Sequence, residues 1–333
     1  MPLVTIFGGN GFVGRYIARR LAKDGWRIRV ACRNPHEAGF VRPYGVVGQV
    51  EPVFANIRDD ASVRAVTHGA DMVINCVGVL EERGRNTFEA TQAEGAERVA
   101  RIAAEEGVKR MVHISAIGAS PDSPSKYART KFAGEQGVLK HMPGAVILRP
   151  SIVFGPEDQF FNRFAAMATM SPVLPVVGAE TRFQPVFVDD VAAAAQKAAH
   201  GEAAPGIYEL GGPDVATFRE LMKLMLRVIH REKRIVIGLP FWMARIMASV
   251  FAVVQFLSFG LVRAPITRDQ IANLAVDNVV SEGARGFDDL GIEPADMEAI
   301  LPEYLWRFRP GGQYAEIMES AKAYRDRLKT PQL

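Results

Sequence analysis

Tyr127 and Lys131 stand four residues apart in the segment Ser125-Lys126-Tyr127-Ala128-Arg129-Thr130-Lys131. On a helix that spacing puts a phenol and an ammonium on one face. An ammonium beside a phenol lowers its pKa toward the working range of a general acid, and the same lysine can hydrogen-bond a ribose hydroxyl. Tyr-x-x-x-Lys alone is common; its weight comes from the start of the chain. There Leu3-Val4-Thr5-Ile6-Phe7 runs into Gly8-Gly9-Asn10-Gly11-Phe12-Val13-Gly14. Gly8 and Gly9 permit a tight turn. Gly11 keeps no side chain between backbone and a pyrophosphate, and Gly14 lets the next helix pack close to the sheet. The N–H groups opening that helix point at the phosphates.

Other residues fall where such a ligand would pass. After the second apolar run, in Ala31-Cys32-Arg33-Asn34, Arg33 occupies the place of the carboxylate that would bind the adenosine ribose of NAD. A guanidinium pairs with a 2′-phosphate that a carboxylate would repel, so the expected cofactor is NADP(H). Asn56 and Ile57, ending the third strand, would flank the adenine. Cys76, Val77 and Gly78 follow the fourth, where backbone passes close to the cofactor. Pro150, Ile152 and Val153, in Leu148-Arg149-Pro150-Ser151-Ile152-Val153-Phe154-Gly155, would wall the nicotinamide.

The elements that must position these groups alternate. Strands are expected at 3–7, 27–32, 50–55, 72–76, 111–115 and 145–149, with helices between them, including 12–24 and 89–106. Such alternation implies parallel strands with right-handed crossovers, an α/β fold with a doubly wound parallel Rossmann sheet. Beyond Gly155 the pattern loosens. A helix over 160–169 leads into a Pro-rich loop at 171–175. A strand at 184–190 feeds a helix at 191–199, and a further strand at 207–210 returns to the sheet. The expected organisation is a dinucleotide-binding domain over 1–155, with 184–212 returning to it. A smaller, interleaved C-terminal α/β lobe takes 156–183 and 213–333.

Composition narrows the classes. The 333 residues are 48% hydrophobic and 23% charged, as in an ordinary globular chain. A net charge of +3 without a basic-aromatic pattern argues against nucleic acid. Cys32 and Cys76 fall in expected buried strands and read as core thiols of a reducing compartment. The six histidines show no ligand spacing, so no metal is expected. A strand starting at residue 3 leaves no room for a targeting peptide, which points to a cytosol-facing bacterial protein or a processed organellar one.

The stretch 239–262 is apolar, with Arg245, Ser249, Gln255 and Ser258 interrupting it. Arg227, Arg231, Lys233 and Arg234 precede it; Arg263 and Arg268 follow. A helix or helical hairpin lying on an anionic membrane surface, or docked on a membrane subunit, fits this pattern better than a span. Phe241, Trp242, Phe251, Phe256 and Phe259 read as its exposed aromatics.

To about residue 215 the chain resembles the extended short-chain dehydrogenase/reductase superfamily. The matches are Gly8, Gly11 and Gly14, the run Asn75 to Gly78, Tyr127 with Lys131, Arg149-Pro150, and the run from Pro185 to Asp189. The resemblance implies a Ser or Thr at the end of strand five to hold a substrate oxygen. Here Ala116 takes that position and Ser115 precedes it, expected on the opposite side by strand alternation, though still within reach of the cofactor. Phe7 replaces the family's leading Thr, and Ser120 offers a hydroxyl only from a loop. Losing one such donor typically costs on the order of a hundred- to a thousandfold in rate, which makes Tyr127 and Lys131 vestigial as a catalytic pair.

A narrower resemblance is carried by the run from Phe154 to Ala165, by Asn75-Cys76-Val77-Gly78, by the run from Gln184 to Asp190 and by the run from Leu301 to Arg309. It is to the Rossmann-type accessory subunit of respiratory complex I, the alpha-subcomplex subunit nine family. The resemblance implies NADPH held for stability on the peripheral arm near the membrane. Other complex I subunits and the membrane surface would be its partners through 239–262. For a bacterial member this means the cytoplasmic face of the inner membrane. The other function left open is a soluble NADP(H)-dependent reductase or a nucleotide-sugar epimerase or dehydratase.

Overall fold

The computed structural model describes residues 1–257 and 266–314. Short apolar runs bounded by turns become the parallel strands β1 (Leu3–Phe7), β2 (Arg27–Cys32), β3 (Val50–Phe54), β4 (Met72–Asn75), β5 (Arg110–Ile114) and β6 (Val146–Pro150). Helices α1 (Phe12–Lys23), α2 (Asp60–Thr67), α3 (Glu94–Glu105) and α4 (Lys126–His141) run between them. Beyond β6 come β7 (Val153–Phe154), α5 (Phe161–Met170), β8 (Val173–Val177), β9 (Arg182–Phe183), β10 (Val186–Phe187), α6 (Val188–His200) and β11 (Gly206–Leu210). Then follow β12 (Ala216–Thr217), α7 (Phe218–Val228), β13 (Ile235–Leu239), α8 (Phe241–Leu257), α9 (Arg268–Leu274) and α10 (Met297–Leu305).

The seven-stranded sheet has the order β11-β6-β5-β4-β1-β2-β3, and every pairing in it is parallel. Strand alternation divides its faces. Val4, Ile6, Ile28, Val30, Ile74, Val112, Ile114 and Leu148 join Ile17 and Leu21 of α1 and the alanines of α6 in one core. Phe7, Ala31, Val73 and Met111 join Val63 of α2, Val99 of α3 and Val138 of α4 in the other. Both faces are covered, as a parallel sheet requires. The turn after β4 and the start of α4 meet at the C-terminal ends of the strands, where open α/β sheets bind ligands.

The smaller lobe is assembled from separated segments. Phe154, Phe161, Leu174 and Phe183 share a core with Phe218, Leu221 and Met225 of α7 and with Leu301 of α10. The expected loop at 171–175 is in fact the start of β8, paired in parallel with β13. Each strand of a two-stranded sheet is an edge, so Pro175, which lacks an N–H, is tolerated there. The expected helix over 89–106 opens with a wider π turn, Glu89–Ala93, before α3. Backbone contact explains the local packing: a Cβ on Gly134 of α4 would collide with the Gln92 carbonyl of that turn.

Candidate functional site

The glycine turn is built as the spacing demands. Gly8 lies at φ +73°, and a Cβ there would sit 3.3 Å from the Cys76 carbonyl and the Val77 nitrogen. The Gly8 N–H donates to the Ala31 carbonyl at 2.9 Å, and the Cys76 N–H to the Phe7 carbonyl at 2.9 Å. A Cβ on Gly14 would collide with the Gly8 carbonyl, so only glycine lets α1 start this close. Gly11 caps α1 without a side-chain acceptor, and no acidic residue stands in its first turn. The positive end of α1 is therefore open to an anion. Arg15 braces the turn by donating to the Gly11 and Asn10 carbonyls at 3.2 and 3.1 Å, its guanidinium 4.6 Å from the Phe40 ring centre. Arg33, just past β2, is exposed and meets no carboxylate among the described residues.

Just past the third strand, Asn56 Oδ1 accepts from the Arg58 N–H at 3.2 Å, leaving the side-chain Nδ2 for a ligand. Ile57 is core: it packs near Gly95, and its carbonyl accepts from Arg98 at 3.1 Å. Past β4, the Val77 N–H donates to Asn75 Oδ1 at 3.1 Å. Gln92 Nε2 donates to the Val79 carbonyl at 2.7 Å, tying the π turn to this loop. Pro150 ends β6, its carbonyl accepting from the Ile117 N–H at 3.0 Å. Ile152 packs on the lobe core and Val153 on the sheet core, which makes this loop the seam between them.

Tyr127 and Lys131 share the inner face of α4, but the acid–base arrangement differs from the expected one. Lys131 is buried, and its Nζ donates to the Ile114 carbonyl at 3.1 Å. A Cβ on Gly78 would meet that Nζ at 3.3 Å, so the ammonium lies against the turn after β4. Burial pulls its pKa down to about 8 against the opposing pull of Glu135. The Tyr127 phenol is pushed up to about 12 by burial, with its ring edge-on to Phe88 at 5.8 Å. The expected lowering by Lys131 is absent: a shared helical face brings the two groups near, but the ammonium is committed to Ile114 and desolvation governs the phenol. The Cys76 thiol is likewise pushed up to about 12 by burial.

Ser115 extends the β5 ladder, its N–H donating to the Leu148 carbonyl at 2.7 Å. Alternation from Met111 through His113, which meets Asn75 at 3.2 Å and senses Lys131, sets Ser115 on the α4 side of the sheet. That reverses the side expected from its one-residue offset. Its hydroxyl is buried with no partner among the described residues, as is His113 Nε2. A buried polar atom without a partner marks a place for a ligand or a water. His113 is held neutral by burial, its pKa down to about 3.

Two sets of residues escaped the sequence reading. Arg149 does not face the cofactor; it is clasped by buried Glu135 through two bonds of 2.8 and 2.6 Å and reaches Glu209 at 3.4 Å. The opening of α4 is closed by Asp269 of α9. Its carboxylate accepts from Ser125 Oγ at 2.9 Å, from the Lys126 N–H at 2.6 Å and from the Tyr127 N–H at 3.2 Å. The only local signal was the Thr267–Gln270 capping box that starts α9.

Residues 4–211 match the NAD dependent epimerase/dehydratase family. The mitochondrial NADH dehydrogenase [ubiquinone] 1 alpha subcomplex subunit 9 of Arabidopsis thaliana is 38% identical over 93% of this chain and 79% of its own. The chain belongs to the alpha subcomplex subunit 9 family, on an epimerase/dehydratase fold. The mitochondrial NADH-ubiquinone oxidoreductase 40 kDa subunit of Neurospora crassa is 30% identical over 93% of this chain and 80% of its own. Among solved structures, the NADPH-dependent quinone oxidoreductase QOR2 of Escherichia coli, complexed with NADPH, superposes with a TM-score of 0.67. It is 18% identical and covers 91% of this chain and 98% of its own. The glycine cradle, the open end of α1, the Lys131 ammonium and the orphaned Ser115 hydroxyl together fit a nicotinamide dinucleotide, and the family binds NAD(P).

Proposed function

We propose that this chain is an NADP(H)-holding accessory subunit of respiratory complex I, NADH:quinone oxidoreductase. It sits on the peripheral arm at the cytoplasmic face of a bacterial inner membrane, with 239–262 as its docking element. One observation carries the reading. The epimerase/dehydratase match ends at residue 211, yet the kinship with the complex I subunits extends over 93% of the chain, across the lobe that carries α8. What this chain shares with those subunits is therefore more than a cofactor fold.

In this reading Gly8, Gly9, Asn10, Gly11, Phe12, Val13 and Gly14 hold the pyrophosphate and Arg33 the 2′-phosphate. Asn56 takes the adenine, with Ile57 behind it. Cys76, Val77, Gly78, Ser115, Pro150, Ile152 and Val153 line the nicotinamide end, and Tyr127 and Lys131 hold its ribose. The cofactor supplies binding energy to the folded state, about 2.7 kcal/mol at a hundredfold excess over its dissociation constant.

Among the described residues no helix is long and apolar enough to cross a membrane. Phe241, expected outside, packs inward near Val177, Ala244 and Ile271, whereas Trp242 is exposed. The Phe256 side chain and residues 258–262 lie outside the described residues.

An affinity-tagged copy, recovered from solubilised membranes, should bring NADH:quinone reductase activity with it, and Tyr127→Phe should leave that activity near normal. The Tyr127–Lys131 pair favours a second reading, a soluble NADP(H)-dependent reductase. Recovery alone from the soluble fraction, or a collapse of activity in Tyr127→Phe with the complex still assembled, would decide for it.

A further inference from the structure

One basic residue that follows the apolar stretch, Arg268, meets its helix beside Arg245. Arg245, Ile246 and Ser249 of α8 and Arg268 and Ala272 of α9 line an open cleft of about 380 Å³. We propose that this cleft is a headgroup site for an anionic phospholipid, which Arg245 and Arg268 hold by its phosphate. This rests on the docking reading above and names the chemistry of what is docked.

Neither guanidinium of the cleft meets a carboxylate among the described residues. Elsewhere Arg20, Arg64, Arg98, Arg101, Arg149, Arg182 and Arg219 each meet a carboxylate. Arg268 instead donates through Nε and a terminal nitrogen to the Ser249 hydroxyl at 3.1 and 2.7 Å. That hydroxyl donates in turn to the Arg245 carbonyl at 2.6 Å. A serine fixes the direction of the guanidinium without neutralising it. The adjacent carboxylate, Asp269, is spent on the opening of α4. Among the described residues Arg245 and Arg268 therefore carry two positive charges on one cleft with no counter-ion beside them. Unneutralised guanidiniums with donors to spare suit a phosphate.

The rim of the cleft selects the kind of phosphate. Ile246 lines it and also belongs to a stripe with Trp242 and Val250, at four-residue spacing, that is 65%, 56% and 56% exposed. The opposite face of α8, Ala244 and Ala248, is buried near Val177 and Ile271. So α8 is anchored by its small residues and turns an apolar stripe outward beside two unpaired cations. A free phosphate has no use for the stripe, and an acidic protein surface has none for a row of Trp, Ile and Val. A lipid offers both chemistries, the phosphate to the arginines and the acyl region to the stripe.

The full chain should float with phosphatidylcholine vesicles that contain phosphatidylglycerol. Arg245→Gln with Arg268→Gln should weaken that binding about thirtyfold, as two charges at an anionic surface predict. High salt should weaken the wild type toward the variant. Binding to phosphatidylcholine alone and the affinity for NADPH should be unchanged in the variant, which also shows that it folds. Inorganic phosphate should leave the melting temperature unmoved. Equal binding of variant and wild type, or equal binding with and without phosphatidylglycerol, overturns the headgroup site while docking stands. Phosphate protection matching that of the vesicles would assign the cleft to a free anion and overturn it also. A chain that ignores both vesicles yet recovers NADH:quinone reductase activity docks on protein, and the lipid site fails alone. If that recovery fails too, the docking reading falls with it.

Discussion

Asp269 gives the sharpest perturbation of the cofactor site from outside it. The residue sits on α9 in the C-terminal lobe, yet its carboxylate accepts the Ser125 hydroxyl and the N–H groups of Lys126 and Tyr127. These are donors that an α-helix leaves unsatisfied at its start, and the charge also lies at the positive end of the helix dipole. Removing a capping side chain typically costs about 0.5–2 kcal/mol, and a hydrogen bond to a charged group contributes about 1.5–3 kcal/mol. Water reaches the Lys126 end of this cluster, so Asp269→Ala should cost about 2 kcal/mol. For a chain of this size that is a fall of roughly 3 °C in melting temperature. Asp269→Asn, which keeps one acceptor without the charge, should lose about half as much. Because Tyr127 and Lys131 occupy the first two turns of α4, NADPH should bind severalfold more weakly in the alanine variant. Differential scanning fluorimetry with and without NADPH reads both effects. Glu202→Gln, which breaks the exposed pair with Lys197, is the control and should move the melting temperature by no more than about one degree. An alanine variant that melts with the wild type and binds NADPH equally well would refute the role given to this carboxylate.

Arg33→Asp should weaken NADPH by well over tenfold and leave NADH favoured, measured by fluorescence titration; equal wild-type affinity for the two cofactors would end the 2′-phosphate assignment. Lys131 titrates near 8 in the folded chain against an ordinary 10.5, so NADPH affinity should fall as pH rises through about 8. Stability of the cofactor-free chain should rise between about 8 and 10.5, where only the unfolded lysine keeps its proton; Lys131→Met should flatten both profiles. His113, depressed to about 3, takes up its proton only on unfolding. Stability should therefore fall as pH drops below about 6.5, by up to about 1.4 kcal/mol per unit, and His113→Asn should remove that dependence in urea titrations.

What the sequence made legible was local. Buried parallel strands read as apolar runs, so β1, β2 and β11 emerged nearly at their observed bounds, and Gly8 and Gly14 betrayed a turn no other residue could make. Where a residue's role is set by a distant partner, the reading failed. Pro175 spoke for a loop until β13 supplied a lone neighbour on one edge. Tyr127 and Lys131 were found, but spacing on a helix says which groups share a face, and not that Lys131 spends its ammonium on Ile114. Arg149 was legible only as part of a family match, because Glu135 and Glu209, its partners, lie on other elements. Asp269 was invisible for the same reason. Its neighbour Arg268 shows why that contact matters: the first turn of α9 sends one side chain to Ser249 on α8 and the next to the start of α4. The face that carries the apolar stripe and the helix that carries Tyr127 and Lys131 are thus held by adjacent residues.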